Sequence, residues 1–169
     1  YAAGLVSSLE GIITPNRGQM LAIRPRKKSD SKLEFAYYLN HGSEYVRSAS
    51  DDQVIFGGCR TYHADHEATS ADETSPEVQS HLEQFVRDLI TTEYDITARW
   101  SGIMGFSPDG MPVIDRVPVH TLSNTNIWFC GGLTGHGMSM GYQTGRHAAR
   151  VMLEGEHTRF GLDRFQSAR

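Results

Sequence analysis

Gly131-Gly132-Leu133-Thr134-Gly135-His136-Gly137-Met138-Ser139-Met140-Gly141 joins an apolar run, Asn126 to Cys130, to a helical pattern that ends near Leu153. The run reads as a strand, and the quoted stretch as a glycine-dense turn leading into the helix. Its five glycines let the backbone come close to another group, and the helix start aims unpaired N–H groups at the same place. Such a turn receives a phosphate or another electron-rich group. Neither a G-x-G-x-x-G fingerprint after a first strand nor a P-loop occurs in the chain, so the turn is not the cradle of a self-contained nucleotide domain. It reads as one half of a site.

The remainder is ordinary globular material. The chain has 169 residues, 38% apolar and 21% charged, with a formal net charge of −4, enough for one medium domain. Its mild acidity argues against nucleic acid, whose phosphates demand a concentrated basic face. Arg24 to Lys28 is the one basic cluster, and the Ser and Asp that follow it suit a solvated loop. No apolar segment approaches membrane-spanning length and no signal peptide is evident, so neither nucleic acid nor membrane is an expected partner. Cys59 and Cys130 each sit in a strand-like apolar run and read as small buried hydrophobes of a reducing compartment, which makes an intracellular setting, cytoplasmic or organellar, the expectation. His63-Ala64-Asp65-His66-Glu67 has a metal-like composition, but its polar surroundings suggest an exposed loop and its spacing identifies no complete ligand set, so no metal is expected.

Short runs rich in Leu, Ile, Val, Phe and Tyr occur at Gln19 to Arg24, Leu33 to Leu39, Glu44 to Ser48 and Gln53 to Gly58, and predict an antiparallel sheet. A helix follows, with Thr74 and Glu77 as a capping box, Pro76 in its first turn, and Val78, Leu82, Phe85, Val86, Leu89 and Ile90 on one face. Ile96 to Trp100 and Gly102 to Phe106 read as strands, and Ser107-Pro108-Asp109-Gly110 as a turn before a strand at Met111 to Ile114. The predicted class is α+β: several strands, a helix, more strands and a final strand–helix unit suit a portion of a mixed α/β fold better than a complete doubly wound domain. Tyr1 is not an initiator methionine, and the elements expected to precede it are missing.

Three stretches carry a resemblance. Pro15-Asn16-Arg17-Gly18-Gln19, the Trp100 to Ile114 segment and the Gly131 to Gly145 turn and helix stand in the order and spacing of the D-amino acid oxidase-like FAD-dependent oxidoreductases, whose members include glycine oxidase, sarcosine oxidase and gamma-glutamylputrescine oxidase. The chain resembles the C-terminal half of such an enzyme. The resemblance implies that residues 1–18 are a linker from a missing N-terminal half, 19–106 part of a substrate-domain antiparallel sheet, 107–155 the closing strand and helix portion of a Rossmann-like FAD-binding domain and 156–169 a tail. It implies non-covalent FAD, because Gly102 stands where sarcosine oxidase-like members place the attaching cysteine.

On the same ground Gly132, Thr134, Gly135, His136, Gly137 and Met138 are expected beside the flavin ring, where N–H groups at a helix start would stabilise the negative charge left by an accepted hydride. His136 is the one candidate catalytic base, against the alternative that it caps or packs the turn. Trp100, Met104 and Arg17 are the candidate substrate-pocket residues. Met104 and Gly135 stand where amino-acid-oxidising relatives place carboxylate-binding arginines, so the substrate either lacks that carboxylate or is met by another arginine: Arg17, Arg60 or Arg99. The lysine tied to oxygen reactivity is not evident near Ile55 to Arg60, which leaves oxidase and dehydrogenase both open.

Two functions follow. One is the C-terminal portion of an amine or amino-acid oxidoreductase, with the missing N-terminal half and a small amine or amino acid as partners. The other is a non-catalytic truncated or split module that only binds a partner. The isolated chain is expected not to hold FAD and to be poorly stable.

Overall fold

The structure, a computed structural model, describes residues 4–117 and 126–168. Residues 1–3 of the expected linker and 169 of the expected tail lie outside them. The chain divides into two compact units: a contiguous one, Arg17–Ile103, and a discontinuous one made of the residues up to Asn16 together with those from Met104 onward.

The contiguous unit is built on a sheet of β1 (Thr14–Pro25), β2 (Tyr37–Leu39), β3 (Glu44–Ser50), β4 (Gln53–Gly58) and β5 (Tyr94–Phe106), in the order β2-β3-β4-β1-β5. The pairs β1 with β4, β2 with β3 and β3 with β4 are antiparallel, with Leu21 opposite Phe56 and Val46 opposite Phe56 fixing the register. This register gathers Leu21, Ile23, Val46, Val54 and Phe56 into one core. A short helix, α1 (Ala64–Glu67), precedes α2 (Pro76–Leu89), whose Val78, Leu82 and Val86 complete that core. Phe85 adds an edge-to-face contact with Phe56, ring centroids 5.7 Å apart.

Several expectations shift by a residue or two, each for a local reason. The helix cap is Ser75 rather than Thr74: Pro76 opens the helix, Ser75 before it is extended, and its Oγ accepts from the Val78 amide. Leu89, at the frayed last turn, is 48% exposed instead of joining the buried stripe. Only Tyr37–Leu39 of the run from Leu33 forms a strand, because Leu33 N–H is taken by Ser48 Oγ and the chain before it is held by Ser31 Oγ bonds to the Lys28 and Asp51 carbonyls. The two strands expected on either side of Ser101 are one continuous strand, β5.

The discontinuous unit contains a two-stranded antiparallel ribbon, β6 (Val113–Arg116) with β7 (Trp128–Gly131), and the long helix α3 (Gly137–Glu154). β6 begins two residues later than expected because the turn continues through Met111, whose N–H is taken by Asp109 Oδ1 and whose carbonyl accepts from Ser107 Oγ. α3 buries Thr144, Ala148 and Val151, the last two packing with Ile114, Trp128 and Phe160. Leu9 and Ile13 pack with Val113, Val117 and Leu162, so the segment expected as a linker supplies core residues. Cys59 is buried as expected, whereas Cys130 on β7 is exposed.

The expected tail folds back as well. Arg164 Nε and Nη2 donate to Asp109 at 2.8 and 3.2 Å, Nη1 to the Phe160 and Gly161 carbonyls at 2.6 and 3.0 Å, and Nη2 to those of Pro112 and Met111 at 2.9 and 3.2 Å. One guanidinium thus ties the last turn, Leu162–Ala168, to the turn that launches β6. Its hydrogen bonds hold the Asp109 carboxyl below the usual carboxylate range, ahead of a smaller opposing effect of burial. Arg164→Ala is expected to lower stability by about 2 kcal/mol, measured by urea denaturation; a loss indistinguishable from zero would mean that the clamp is not formed in solution.

Candidate functional site

The ribbon positions the glycine-rich turn. After β7, Leu133 forms an isolated antiparallel bridge with Phe106, and Thr134 N–H donates to the Gly105 carbonyl at 3.1 Å. These bonds lay the turn against the end of β5. Gly132, at φ +67°, is buried there: a Cβ would come within 2.8 Å of Ile13 Cδ1, and the left-handed conformation would strain any side chain. Thr134 accepts the same conformation at φ 49° without being glycine. Its Oγ1 accepts from Ser107 N–H at 3.3 Å and lies 3.3 Å from the Gly132 carbonyl and from Ser107 Oγ, so its polar atoms hold the turn together.

The chain then enters α3 at Gly137. The His136 carbonyl accepts the Ser139 and Met140 amides, at 3.2 and 3.0 Å, which leaves those of Gly137 and Met138 ahead of the first intrahelical acceptor. Their side of the turn opens into a cavity of about 380 Å³ lined by Met104, Gly105, Gly131 to Gly135, Gly137 and Met138. The lining is mostly apolar side chain and glycine backbone, with Thr134 as its one hydroxyl-bearing residue and no charged group. Such a wall suits a flat, electron-rich ring: backbone approaches where Cβ atoms are absent, and orphan amides meet negative charge.

His136 occupies the N-cap position without a side-chain capping bond. Its Nδ1 lies 2.9 Å from the Thr134 carbonyl, and since a carbonyl only accepts, Nδ1 carries the proton. In the neutral ring this leaves the lone pair on Nε2. The imidazole thus packs the turn by a bond to the residue two before it, rather than by capping the helix.

Of the residues singled out in the sequence, Met104, Gly132, Thr134, Gly135, Gly137 and Met138 line one cavity, with His136 in the same turn. Gly105, Gly131 and Leu133 also line it; the signal for Gly105 and Leu133 was the Phe106 and Leu133 pairing, which only the folded chain displays. Trp100 and Arg17 belong to the contiguous unit, where Trp100 stands on β5, 39% exposed. Arg17 is buried and donates from Nε and Nη2 to Glu67, at 3.0 and 2.7 Å. That pairing takes up the fork a substrate carboxylate would need. Arg99 is likewise engaged, by Gln79 Oε1 at 2.7 Å and Glu83 Oε1 at 2.6 Å.

Glu67 is the residue that the sequence misplaced. Expected on an exposed loop, it is fully buried, and Gln19 Nε2 reaches both its oxygens at 3.0 Å. Burial pushes its carboxyl up, but the Arg17 and Gln19 hydrogen bonds together hold it below the ordinary range. Among the described residues no three His, Cys, Asp or Glu side chains are placed to hold a metal ion. Among those residues, too, no helix is long and apolar enough to cross a membrane.

A family model described as "FAD dependent oxidoreductase" (DAO) matches residues 1–151. Among solved structures, the fold is similar to L-proline dehydrogenase from P. horikoshii, with a TM-score of 0.68 and 19% identity over 99% of this chain and 46% of that one. It is similar to glycine oxidase from Geobacillus kaustophilus, TM-score 0.65 and 19% identity, over 92% of this chain and 40% of that one. Iminodiacetate oxidase from Chelativorans sp. BNC1 matches at TM-score 0.65 and 17% identity, over 97% and 43%. The chain therefore spans less than half the length of each of these structures. No curated protein matches the sequence significantly.

Proposed function

The chain belongs to the FAD-dependent oxidoreductase family, and from that premise we propose that it forms the flavin-ring side of an enzyme that oxidises a C–N bond of an amine or amino acid by hydride transfer. The observation that carries this reading is the cavity of about 380 Å³ in which glycine backbone and the start of α3 meet. Gly135, at which a Cβ would meet only Met104 Sδ of the cavity wall at 3.6 Å, would let the non-covalent flavin ring approach, and the Gly137 and Met138 amides would face its electron-rich edge. When bound there, FAD supplies the two-electron acceptor for a hydride leaving the carbon next to nitrogen.

The residues of this chain then have separable tasks. Thr134 and Ser107 keep the turn in shape through their hydroxyls. Met104 forms an apolar wall, which favours a substrate lacking a carboxylate at that point. His136 Nδ1 fixes the ring on the Thr134 carbonyl, and Nε2 is the atom able to take a proton from a substrate ammonium.

A second polypeptide portion carrying a dinucleotide fingerprint completes this reading. Two features support it: among the described residues β6 and β7 form a sheet of two strands, and α3 presents exposed Met138, Tyr142 and Leu153 beside Gly141 and Gly145, at which a Cβ would meet nothing within 4 Å. Purified from its native source, the polypeptide containing this chain is expected to be yellow and to bleach under nitrogen with one member of an amine panel. Gly135→Val, which would place a side chain on the Met104 side of the cavity, should weaken flavin retention by at least about tenfold, read from flavin fluorescence. Native material that is colourless and ignores added FAD would overturn the proposal.

A further inference from the structure

Ser107 is buried, and it faces the glycine-rich turn on one side and the turn before β6 on the other. Toward the glycines, its N–H donates to Thr134 Oγ1, its Oγ lies 3.3 Å from that same atom, and a Cβ at Gly132 would stand 3.5 Å from its own Cβ. Away from them, its hydroxyl donates to the Met111 carbonyl at 2.7 Å. A serine has one hydroxyl hydrogen, and this shorter bond takes it. Thr134 therefore supplies the hydrogen that its Oγ1 shares between Ser107 Oγ and the Gly132 carbonyl, each at 3.3 Å. Through Ser107, the place of Thr134 depends on the place of Met111.

Met111 is in turn held by residues about fifty positions further on. Asp109 Oδ1 accepts its N–H at 3.0 Å, and Arg164 donates to Asp109, to the Met111 carbonyl at 3.2 Å and to the Pro112 carbonyl at 2.9 Å. Residues 109–112 thus move with the guanidinium. The clamp is partly open to water, with the Arg164 side chain 17% and that of Asp109 39% exposed, whereas Ser107 between it and the glycines is closely packed. A displacement of the clamp is passed on through Ser107 rather than taken up by solvent. All of these residues belong to the same compact unit as the cavity of about 380 Å³.

We propose that Arg164 is a positioning residue for the flavin-ring turn: through Asp109, Met111 and Ser107 it sets the place of Thr134, and with it the backbone from Gly135 to Met138. The role rests on the flavin reading for the identity of the ligand. The links beyond Asp109 and Arg164 are neutral hydrogen bonds, so the coupling they carry is that of one such bond, about fivefold in an equilibrium.

Hydrogen exchange of the polypeptide that contains this chain, followed by mass spectrometry, tests the coupling without any flavin. In Arg164→Ala the bonded amides of Thr134 and His136 should exchange about fivefold faster relative to those of residues 144–151 in α3. A general loss of stability in the unit would accelerate the turn no more than α3. Asp109→Asn keeps the shape of the clamp and loses its charge; it should show the same preference for the turn at a smaller size, and it serves if Arg164→Ala does not fold. Flavin retention is the second readout. Arg164→Ala and Ser107→Ala should each weaken it about fivefold, and the double variant no more than the stronger single one, since both break the same chain of bonds. Turn and α3 accelerated alike in both clamp variants, flavin retention unchanged in Arg164→Ala, or single effects that multiply in the double variant would overturn the positioning role. A wild type that retains no flavin would overturn the flavin reading, and the positioning role with it, whatever the exchange shows.

Discussion

Glu67→Ala is expected to destabilise the contiguous unit by about 3–5 kcal/mol, because it leaves a buried guanidinium without its buried carboxylate partner. Arg17 Nε and Nη2 lose their acceptor, and Gln19 Nε2 loses contacts to both oxygens at 3.0 Å. What remains for Arg17 is weak: the Ala71 carbonyl at 3.4 Å and the exposed Glu73 at 3.9 Å. The loss should spread, since Gln19 Oε1 also accepts from the Ser75 amide at 2.9 Å and from Gln79 Nε2 at 3.2 Å, and so anchors the start of α2 to β1. Glu67→Gln keeps the volume and part of the bonding, and should cost roughly half as much. The pH dependence has a definite sign. With its carboxyl held below the ordinary value, Glu67 contributes stability that is present above the unfolded pKa and disappears as pH falls through the folded one. The difference between wild type and Glu67→Gln, measured by urea denaturation, should therefore shrink in acid. A Glu67→Ala protein within about 1 kcal/mol of wild type would show that the pair is water-filled rather than closed.

A comparable loss, about 4 kcal/mol, is expected for Gly58→Ala at the end of β4, where strain and overpacking act together. At φ +112°, Gly58 lies in the left-handed range, and a Cβ there would stand 2.0 Å from the Ser43 carbonyl oxygen and 2.8 Å from Glu44 Cα. Neither neighbour can yield. Both are backbone of a paired strand and its turn, with Glu44 opposite Gly58 in the ladder and the Cys59 amide bound to that same carbonyl at 3.1 Å. Thermal unfolding should show the contiguous unit melting far earlier than in wild type. An unchanged melting temperature would mean that the 40–44 turn moves aside freely.

Much of the molecule is legible where the signal is local. The apolar and aromatic runs of β1, β3 and β4, the Pro76 start of α2 and the glycine-rich passage from β7 to α3 all depend on residues near one another in sequence, and their elements form within a few residues of where the pattern puts them. The misses depend on distant partners. Nothing local marks Glu67 as buried, since it looks like its exposed neighbours until Arg17 and Gln19 meet it across about fifty positions. The closing segment reads as a polar tail because Arg164 finds Asp109 and four carbonyls only in the folded chain. Of the residues lining the cavity, a resemblance marks Met104, Gly132, Thr134, Gly135, Gly137 and Met138 in the sequence. The others are Gly105, Gly131 and Leu133, of which Gly105 and Leu133 depend on a bridge between β5 and the turn after β7.

The discontinuity of one unit sets an order of events during synthesis and folding. Arg17–Ile103 is contiguous, so its sheet and α2 can close as soon as that stretch is made. Leu9 and Ile13 are made earlier, yet their companions Val113, Val117 and Leu162 follow about 100 to 150 residues later. Until those arrive the two side chains lack these core partners, and closing so long a loop is slow. The contiguous unit can therefore be folded while Leu9 and Ile13 still await their companions, and the window in which those side chains can take part in aggregation lasts until the stretch from Val113 to Leu162 is made.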